Sequence, residues 1–358
     1  MERCVLILNA FNLQFILSTD KMKILVTGGL GYIGSHTVIA LQEKGYEVVI
    51  IDNLINSSIE VLDNITKISG VKPLYENLDI RNKQDLNAFV EKHKDVAGVI
   101  HFAAFKAVGE SVEKPLDYYE NNVTALVYLL RAMEGLNSPK LIFSSSCTVY
   151  GQAEKLPITE DAPVQPANSP YGNTKQIDEE IIQDYIASGA DLQAISLRYF
   201  NPIGAHPSAL IGELPIGVPL NLVPYVTQTA AGKRDRLSVW GSDYPTEDGT
   251  CIRDYIHVMD LAEIHVIALE KLLEPDYKTR YEVYNVGTGK GNSVLDVVNT
   301  FEEVNNLKLP YVLADRRPGD VVSAYADTAK AEEDLNWKAK RTMAEALRDA
   351  WQWQQKLD

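Results

Sequence analysis

From Lys23 onward, short apolar runs alternate with longer stretches in which apolar residues recur at helical spacing. The run over residues 23–27 leads into a glycine-rich turn and then into a helical pattern over residues 35–44. Strands that alternate with helices are joined by crossover connections, which place the strands parallel to one another. The pattern predicts an α/β fold built on a doubly wound parallel sheet. Its further strands are predicted at residues 47–51, 96–102, 140–144 and 194–197.

Composition changes near residue 201. Pro and Gly become frequent there, loops lengthen up to residue 250, and a second, smaller α/β region runs to the C-terminus. A chain of 358 residues suits about two domains. We therefore predict one domain over residues 22–200, a second over residues 201–358, and a ligand cleft between them.

Residues 1–21 stand apart from this pattern. The apolar stretch over residues 5–17 contains Asn9, Asn12 and Gln14 and is too short for a transmembrane helix. An acidic residue at position 2 and the lack of a small-residue cleavage site argue against a signal peptide. We interpret the segment as an N-terminal extension ahead of Met22.

The charge balance limits the class of partner. The chain carries 49 acidic and 34 basic residues, a formal net charge of −15, which disfavours binding to nucleic acid or to an anionic membrane. Cys4, Cys147 and Cys251 are far apart and odd in number, which favours a reducing, cytoplasmic compartment over a disulfide framework. His257 and His265 are separated by eight residues, which matches no common zinc motif, and we predict no metal site.

The first glycine turn reads TGGLGYIGSH and joins the first predicted strand to the first helix. Gly28 suits the tight turn, Gly31 lets the backbone approach a pyrophosphate, and Gly34 lets the helix lie close to the sheet. Asp52 ends the next strand, where a carboxylate accepts hydrogen bonds from both ribose hydroxyls. No Arg or Lys follows Asp52 through Ser58. These features predict a Rossmann dinucleotide site that prefers NAD to NADP.

A second group of residues suits proton transfer. Tyr171 and Lys175 are four residues apart on a helix that begins near Ser169, so their side chains share one face. A nearby ammonium group favours the phenolate and so lowers the pKa of the tyrosine, which makes Tyr171 a candidate general base. Ser146 follows the strand predicted at residues 140–144 and lies at its C-terminal edge, where sites of α/β proteins form.

These motifs resemble the extended short-chain dehydrogenase/reductase family, and within it the 4-epimerases that act on UDP-glucose and UDP-galactose. The resemblance runs from about Met22 to the C-terminal tryptophans. It is carried by TGGLGYIGSHT, HFAAFKAVGESVEKPLDYYENNV, FSSSCTVYG, SPYGNTK, LRYFNPIGAHPS, DYPTEDGTCIRDYIHVMDLA, YNVGTGKGNSVLDVV and RRPGD. It implies that residues 22–200 bind NAD and that residues 201–358 bind the UDP-sugar.

The resemblance also implies a mechanism. Tyr171 would take the proton of the hydroxyl at sugar carbon 4, Ser146 would bridge that transfer, and Lys175 would hold the nicotinamide ribose. Hydride would pass to tightly bound NAD, and the resulting 4-keto sugar would turn over and take the hydride back. Implied cofactor residues are Gly28, Gly31, Tyr32, Ile33, Gly34, Asp52, Asn53, Asp79, Ile80, Phe102, Ala103, Lys106, Asn121, Ser146, Tyr171, Lys175 and Phe200. Implied substrate residues are Ser146, Tyr171, Asn201, Asn221, Leu222, Arg253, Arg317, Asp320 and Ala324.

Two positions bear on the reaction and its substrate. The 4,6-dehydratase relatives carry an acidic pair where this chain has Cys147 and Thr148, so the resemblance disfavours dehydration. Ala324 falls where epimerases restricted to UDP-glucose carry a bulky tyrosine, with Tyr325 next in the chain. Our hypothesis is that the small residue also admits UDP-N-acetylglucosamine and UDP-N-acetylgalactosamine.

Two other functions stay open at this point. One is a non-catalytic, NAD-binding regulatory protein, and the other is an epimerase for another UDP-sugar such as a uronic acid. The intact set of Ser146, Tyr171 and Lys175 argues against the first. Apolar positions recur at helical spacing on more than one face of residues 116–133, and the resemblance implies that this helix and the Tyr171 helix form a homodimer interface.

Overall fold

A sheet of seven parallel strands carries the fold in the computed structural model, which describes residues 21–137, 139–317 and 320–357. The predicted N-terminal extension therefore lies outside the described residues, except for Lys21. The helices and strands, in chain order, are β1 (Lys23–Thr27), α1 (Tyr32–Glu43), β2 (Glu47–Asp52), α2 (Glu60–Ser69), β3 (Leu74–Asn77), α3 (Lys83–Lys92), β4 (Val96–His101), α4 (Val108–Glu113), α5 (Pro115–Tyr118), a π-helical turn (Tyr119–Val123), α6 (Thr124–Met133), β5 (Lys140–Ser146), a 3₁₀ turn (Cys147–Tyr150), α7 (Pro170–Ala187), β6 (Gln193–Tyr199), β7 (Asn201–Ile203), α8 (Leu222–Ala230), β8 (Leu237–Trp240), β9 (Ile252–Arg253), β10 (Tyr255–His257), α9 (Val258–Leu273), β11 (Tyr281–Val286), β12 (Asn292–Ser293), α10 (Val294–Asn305), β13 (Tyr311–Ala314), β14 (Ser323–Ala324), α11 (Ala329–Leu335) and α12 (Met343–Lys356).

The strand order creates a crevice at one edge of the sheet. The order is β11-β6-β5-β4-β1-β2-β3, and every neighbouring pair is parallel. The chain passes from β1 to β2 on one side, whereas β4 lies on the other side of β1. Ligands of such sheets bind at the carboxyl ends of the strands where the order reverses, here β1 and β4. The prediction of a doubly wound parallel α/β sheet is confirmed.

Side chains point alternately to the two faces of the sheet, and those on both faces are apolar, which explains why helices cover both faces. Ile24 and Val26 pack on the face with α1 and α9, and Leu25 packs on the opposite face with α3, α6 and α7. Each of the three side chains is at most 1% exposed. Successive side chains of a strand point to opposite faces, so a continuous apolar run suits a strand between two helical layers.

Much of the chain beyond residue 200 forms a smaller α/β region around its own apolar core. That core contains residues of α8, α10 and α12. The short strands of this region form two pairs and one group of three. Strand β11 is an exception, because it pairs with β6 at the edge of the main sheet. The division at residue 200 stays a prediction.

Within the described ranges, no helix is both long and apolar enough to cross a membrane. The same residues hold no group of three or more His, Cys, Asp or Glu side chains arranged to bind a metal ion.

Candidate active site

The glycine turn after β1 brings the chain close to neighbouring backbone. Gly28 has a φ of +70°, and a Cβ there would lie 2.8 Å from the backbone nitrogen of Ala103. A Cβ at Gly34 would lie 2.2 Å from the Gly28 carbonyl oxygen. Gly31 stands at the N-cap of α1. The turn therefore requires glycine and leaves the N–H groups of the first turn of α1 available to an anion, as a dinucleotide pyrophosphate requires.

Asp52 lies at the carboxyl end of β2, beside this turn. Its Oδ2 accepts a hydrogen bond from the Leu30 N–H at 3.0 Å, and its Oδ1 accepts from the Leu54 N–H at 3.0 Å and from Ser57 Oγ at 2.7 Å. These bonds fix the orientation of the carboxylate at the rim of the cleft. The support from Ser57 was not predicted, although its position five residues after Asp52 in a polar loop was a usable signal in the sequence.

A cleft along the carboxyl edge of the sheet gathers many of the predicted cofactor residues. Those that line it are Gly28, Gly31, Asp52, Asn53, Asp79, Ile80, Phe102, Ala103 and Asn121. Lining residues that the analysis did not assign individually are Ile51, Ile55, Asn56, Ser57, Leu78, Ala104, Phe105 and Ala125. Many of the latter are apolar or lie in loops, so the sequence alone carried little signal for them.

One basic residue does lie near the Asp52 end of the cleft. Arg81 Nη2 is 2.7 Å from Asp79 Oδ2, and Asn53 Nδ2 donates to the same oxygen at 3.1 Å. The hydrogen bond from Arg81 is the largest cause that lowers the pKa of Asp79 to about 2. The carboxylate of Asp79 neutralises this guanidinium, which would otherwise attract the 2′-phosphate of NADP. The pairing therefore agrees with the predicted preference for NAD over NADP.

The remaining predicted cofactor residues lie around this cleft. Tyr32, Ile33 and Gly34 begin α1, and the Tyr32 hydroxyl donates to the Gly204 carbonyl at 2.7 Å. Lys106 follows β4, and its Nζ lies 2.8 Å from Glu213 Oε1. Phe200 follows β6 and is 4% exposed.

The predicted catalytic residues come from one strand end and one helix. Ser146 is the last residue of β5. Helix α7 begins at Pro170, where Ser169 Oγ accepts the Gly172 N–H at 3.1 Å. Lys175 is 2% exposed, and its Nζ lies 4.7 Å from the centre of the Phe143 ring of β5.

Burial dominates the acid–base properties of this group. Burial raises the pKa of Tyr171, and a hydrogen bond with Ser146 lowers it. Burial also lowers the pKa of Lys175, against the attraction of Asp178 and Glu179. Removal of both groups from water disfavours their charged forms, and the lowering of the Tyr171 pKa by Lys175 stays a prediction.

A π-helical turn forms part of the wall of the cleft. The turn spans Tyr119–Val123, so the helical pattern predicted over residues 116–133 is not one uniform α-helix. Asn121 lines the cleft, and Asn122 is buried beneath it. Asn122 Oδ1 accepts the Phe105 N–H at 2.8 Å, while its Nδ2 donates to Thr174 Oγ1 at 3.1 Å. Insertions of this kind occur often at functional sites.

Several predicted substrate residues meet around one carboxylate. Arg317 Nε lies 3.0 Å from Asp320 Oδ2, and Arg253 Nη2 lies 3.5 Å from Asp320 Oδ1. Arg253 Nη1 also donates to the Val321 carbonyl at 2.8 Å. Two guanidinium groups held by one acid form a local cationic surface that suits a diphosphate, although the whole chain is acidic.

The other predicted substrate residues extend this region. Asn201 begins β7, and Asn221 and Leu222 stand at the N-terminus of α8. Ala324 pairs with Arg253 between β14 and β9. It lies in an apolar cluster with Phe200 and Cys147, so it is close to the catalytic strand end.

Tyr325 points elsewhere. Its ring carbon Cδ1 would lie 3.1 Å from a Cβ built on Gly291, on the other side of the strand from Ala324. Trp240, which was not predicted from the sequence, ends β8 beside Ala314 and is 42% exposed. Its partner Ala314 comes three residues before Arg317 in the chain. The exposed indole of Trp240 is a flat surface that suits a nucleobase.

Comparisons with known proteins identify the family of the chain. The family model described as GDP-mannose 4,6 dehydratase matches residues 25–350. UDP-glucose 4-epimerase of Bacillus subtilis is 51% identical over 333 residues, which cover 93% of this chain and 97% of the relative. UDP-glucose 4-epimerase 2 of Arabidopsis thaliana is 52% identical, over 92% of this chain and 94% of the relative.

Solved structures give the same result. The UDP-glucose 4-epimerase of Stenotrophomonas maltophila, with bound NAD and formylated UDP-arabinopyranose, matches with a TM-score of 0.90 and 45% identity, over 94% of this chain and 98% of that one. The Bifidobacterium longum enzyme in complex with NAD⁺ and UDP matches with a TM-score of 0.89 and 44% identity, over 94% and 98%. The family resemblance is confirmed, and a regulatory protein or a uronic-acid epimerase is not favoured. The chain belongs to the UDP-glucose 4-epimerases of the extended short-chain dehydrogenase/reductase family.

Proposed function

We propose that this chain interconverts UDP-glucose and UDP-galactose by oxidising and re-reducing sugar carbon 4. The observation that carries the proposal is that Ser146 ends β5 at the carboxyl edge of the sheet, the edge where Gly28 and Asp52 line the cleft, while Tyr171 and Lys175 are buried on α7, which packs on β5. Relatives that are about half identical bear the name of this activity.

The cleft fits NAD by its shape and its polar groups. The glycine turn leaves room where a Cβ would meet backbone, and the start of α1 presents N–H groups to a pyrophosphate. Asp52 would accept the ribose hydroxyls, and Lys106 would contribute a cation near the phosphates. When bound, NAD supplies the hydride acceptor and donor for carbon 4.

Tyr171 carries the proton transfer in this proposal. Its phenolate oxygen would take the proton of the carbon-4 hydroxyl as the hydride leaves, and the phenol so formed would return the proton when the hydride comes back. Ser146, whose hydroxyl lowers the pKa of Tyr171, would bridge the two oxygens. Lys175 lies one helical turn along the same face and supports the phenolate with its ammonium group.

The diphosphate of the substrate would lie against Arg253 and Arg317. Asp320 holds both guanidinium groups in place, and Trp240 would stack on the uracil. Anchoring at the nucleotide leaves the sugar end free to turn over, so that either face of carbon 4 reaches the hydride. In the place of the dehydratase acidic pair, Cys147 and Thr148 supply no carboxyl group for water elimination.

Ala324 supports a broader substrate range. Its methyl side chain faces the cluster that contains Phe200 and Cys147, and Tyr325 lies on the opposite side of the strand. We propose that this space accepts the N-acetyl group of UDP-N-acetylglucosamine and of UDP-N-acetylgalactosamine.

Two further parts of the proposal concern assembly and location. A surface hollow between α3, α6 and α7 is lined by Val127, Leu130, Ile181 and Tyr185 among others, and we propose that it is covered in a homodimer. Sedimentation velocity of the purified chain tests this. A cytoplasmic location is supported by the thiols of Cys147 and Cys251, which form no disulfide.

The test is conversion of UDP-galactose to UDP-glucose by the purified protein without added NAD. We expect Tyr171→Phe to lower kcat by about 10²–10⁴-fold, because the general base is lost. Tyr46→Phe, at the amino end of β2 and therefore at the opposite edge of the sheet, is the matched control and keeps kcat within about twofold of the unaltered chain. Equal activity of the two variants would refute the assigned base.

A further inference from the structure

Glu213 places a carboxylate between the two halves of the site. Its Oε1 accepts hydrogen bonds from Lys106 Nζ at 2.8 Å and from Asn221 Nδ2 at 2.6 Å. Lys106 follows β4 in the part proposed to bind NAD, whereas Asn221 precedes α8 in the part proposed to bind the UDP-sugar. One carboxylate oxygen therefore joins a proposed cofactor residue to a proposed substrate residue.

The backbone beside Glu213 is held by the C-terminal helix. Trp353 Nε1 of α12 donates to the Glu213 carbonyl oxygen at 3.1 Å. A Cβ at Gly212 would lie 2.4 Å from the Trp353 ring, so the indole packs directly against this backbone. Only 11% of the Glu213 side chain is exposed. Glu213 is therefore held in place and can orient the side chains of Lys106 and Asn221.

The charges explain what this arrangement does. A carboxylate near two diphosphates would repel them, but here the ammonium of Lys106 pairs with it while lying 5.6 Å from the centre of the Tyr32 ring. With Asn221 Nδ2 donating to Glu213, the amide oxygen and the second N–H of Asn221 stay available to a ligand. The orientation of Asn221 depends on an acceptor at position 213.

We propose that Glu213 is a positioning residue, which orients Asn221 for the diphosphate sugar and Lys106 for the NAD phosphates. The inference rests on the proposed function. Its main consequence is that an acceptor oxygen at position 213, more than its negative charge, strengthens UDP binding. If repulsion dominated instead, any variant without the charge would bind UDP more tightly.

The experiment measures UDP binding to the NAD-loaded protein by isothermal titration calorimetry. We expect Glu213→Ala to weaken UDP binding about tenfold, the size of one charge-assisted hydrogen bond. Glu213→Gln keeps an acceptor oxygen and stays within about twofold, as does the control Glu247→Ala at an exposed position of the same half. In an Asn221→Ala background, Glu213→Ala weakens UDP binding by less than about twofold further, because both variants remove the same hydrogen bond.

A second pair of variants tests the bond if Glu213→Ala does not fold. Asn221→Asp places two carboxylates together, and we expect it to weaken UDP binding. Adding Glu213→Gln reverses donor and acceptor at unchanged net charge, and we expect it to restore at least part of the affinity. Tighter binding by Glu213→Ala, full additivity with Asn221→Ala, or no rescue of Asn221→Asp would overturn the proposal.

An activity assay separates this inference from the proposed function. Glu213→Ala should raise KM for UDP-galactose with kcat changed by less than about threefold, whereas a general structural defect would lower kcat as well. If UDP binding by the variants follows the expected pattern but the unaltered chain does not epimerise UDP-galactose, the proposed function fails and the positioning role stands. If it epimerises without the binding pattern, the positioning role alone fails.

Discussion

Helix α7 buries a carboxyl group that the proposed mechanism does not use. Asp178 is 1% exposed, and its Oδ1 has no hydrogen-bond partner among the described residues. It lies three and seven residues after Lys175 and Tyr171, on the same helical face. Burial raises the pKa of Asp178 to about 7, against the opposing attraction of Lys175.

This pKa makes stability depend on pH. A carboxyl group whose pKa is raised on folding contributes stability that is present below its unfolded pKa, near 4, and is lost as the pH rises through about 7. Between pH 5 and pH 8 the unaltered chain should lose about 3 kcal/mol relative to Asp178→Asn, at 1.36 kcal/mol per pKa unit. Urea unfolding at both pH values measures the difference. The exposed Asp184→Asn is the control, and a pH-independent difference for Asp178→Asn would contradict the assignment.

Ala324 carries the prediction about substrate range. We expect Ala324→Tyr to lower turnover of UDP-N-acetylgalactosamine by about 10–100-fold, because overpacking of this size costs about 1–3 kcal/mol. Turnover of UDP-galactose should change far less. Tyr325→Phe, whose ring lies on the opposite side of the strand, should keep both activities. Chromatography of the 4-epimers measures both, and an equal loss on the two substrates would contradict a gate at residue 324.

Residues differ in how far sequence could locate them. Tyr171 and Lys175 were predictable because helical spacing alone puts them on one face, and Gly28 was predictable because a strand-to-helix turn requires it. The pairing of Arg253 with Asp320 joins residues 67 positions apart and follows only from the folded chain. Glu213 was missed for the same reason, since its partners Lys106 and Asn221 come from separate elements.

At the scale of elements, the π-helical turn ties the cleft to the catalytic helix. Asn122 bonds the backbone N–H and carbonyl of Phe105 and the hydroxyl of Thr174. We expect Asn122→Ala to lower the free energy of unfolding by about 2–4 kcal/mol, because buried backbone groups lose their partners. It should also speed the loss of NAD, because Asn121 and Phe105 line the cleft.

Urea unfolding and the rate of NAD release measure these effects. Asn64→Ala at the surface of α2 is the control. An Asn122→Ala variant as stable as the control would show that the turn does not depend on this side chain. The sequence pattern could not indicate the turn, because apolar spacing near 3.6 residues continues on both sides of it.

The central strands were predictable to within a few residues. Strand β1 was predicted at its observed bounds, and β5 extends to Ser146, two residues beyond the predicted end. Buried parallel strands are continuous apolar runs and are therefore visible in a sequence. The two-residue strands β9, β12 and β14 have no such run, because they are defined by pairing with distant segments.

At the scale of the whole molecule, one sheet edge brings the two proposed ligand regions together. The carboxyl ends of β1, β2 and β4 face the cofactor cleft, and β5 ends at Ser146, next to Cys147, which packs in one apolar cluster with Ala324 of β14. Strand β11 and helix α9 join the later part of the chain to the main sheet and to α1. This packing fixes the distance between the proposed hydride acceptor and the proposed diphosphate site.

The most direct test of the proposed reaction follows the hydrogen at sugar carbon 4. UDP-galactose that carries deuterium at carbon 4 is incubated with the purified chain in ordinary water, without added NAD, and the UDP-glucose formed is examined by mass spectrometry and NMR. We expect the product to keep its deuterium at carbon 4, because the hydride goes to bound NAD and returns to the same sugar. Product that has lost the deuterium to water, or no product at all, would contradict the reaction proposed for this site.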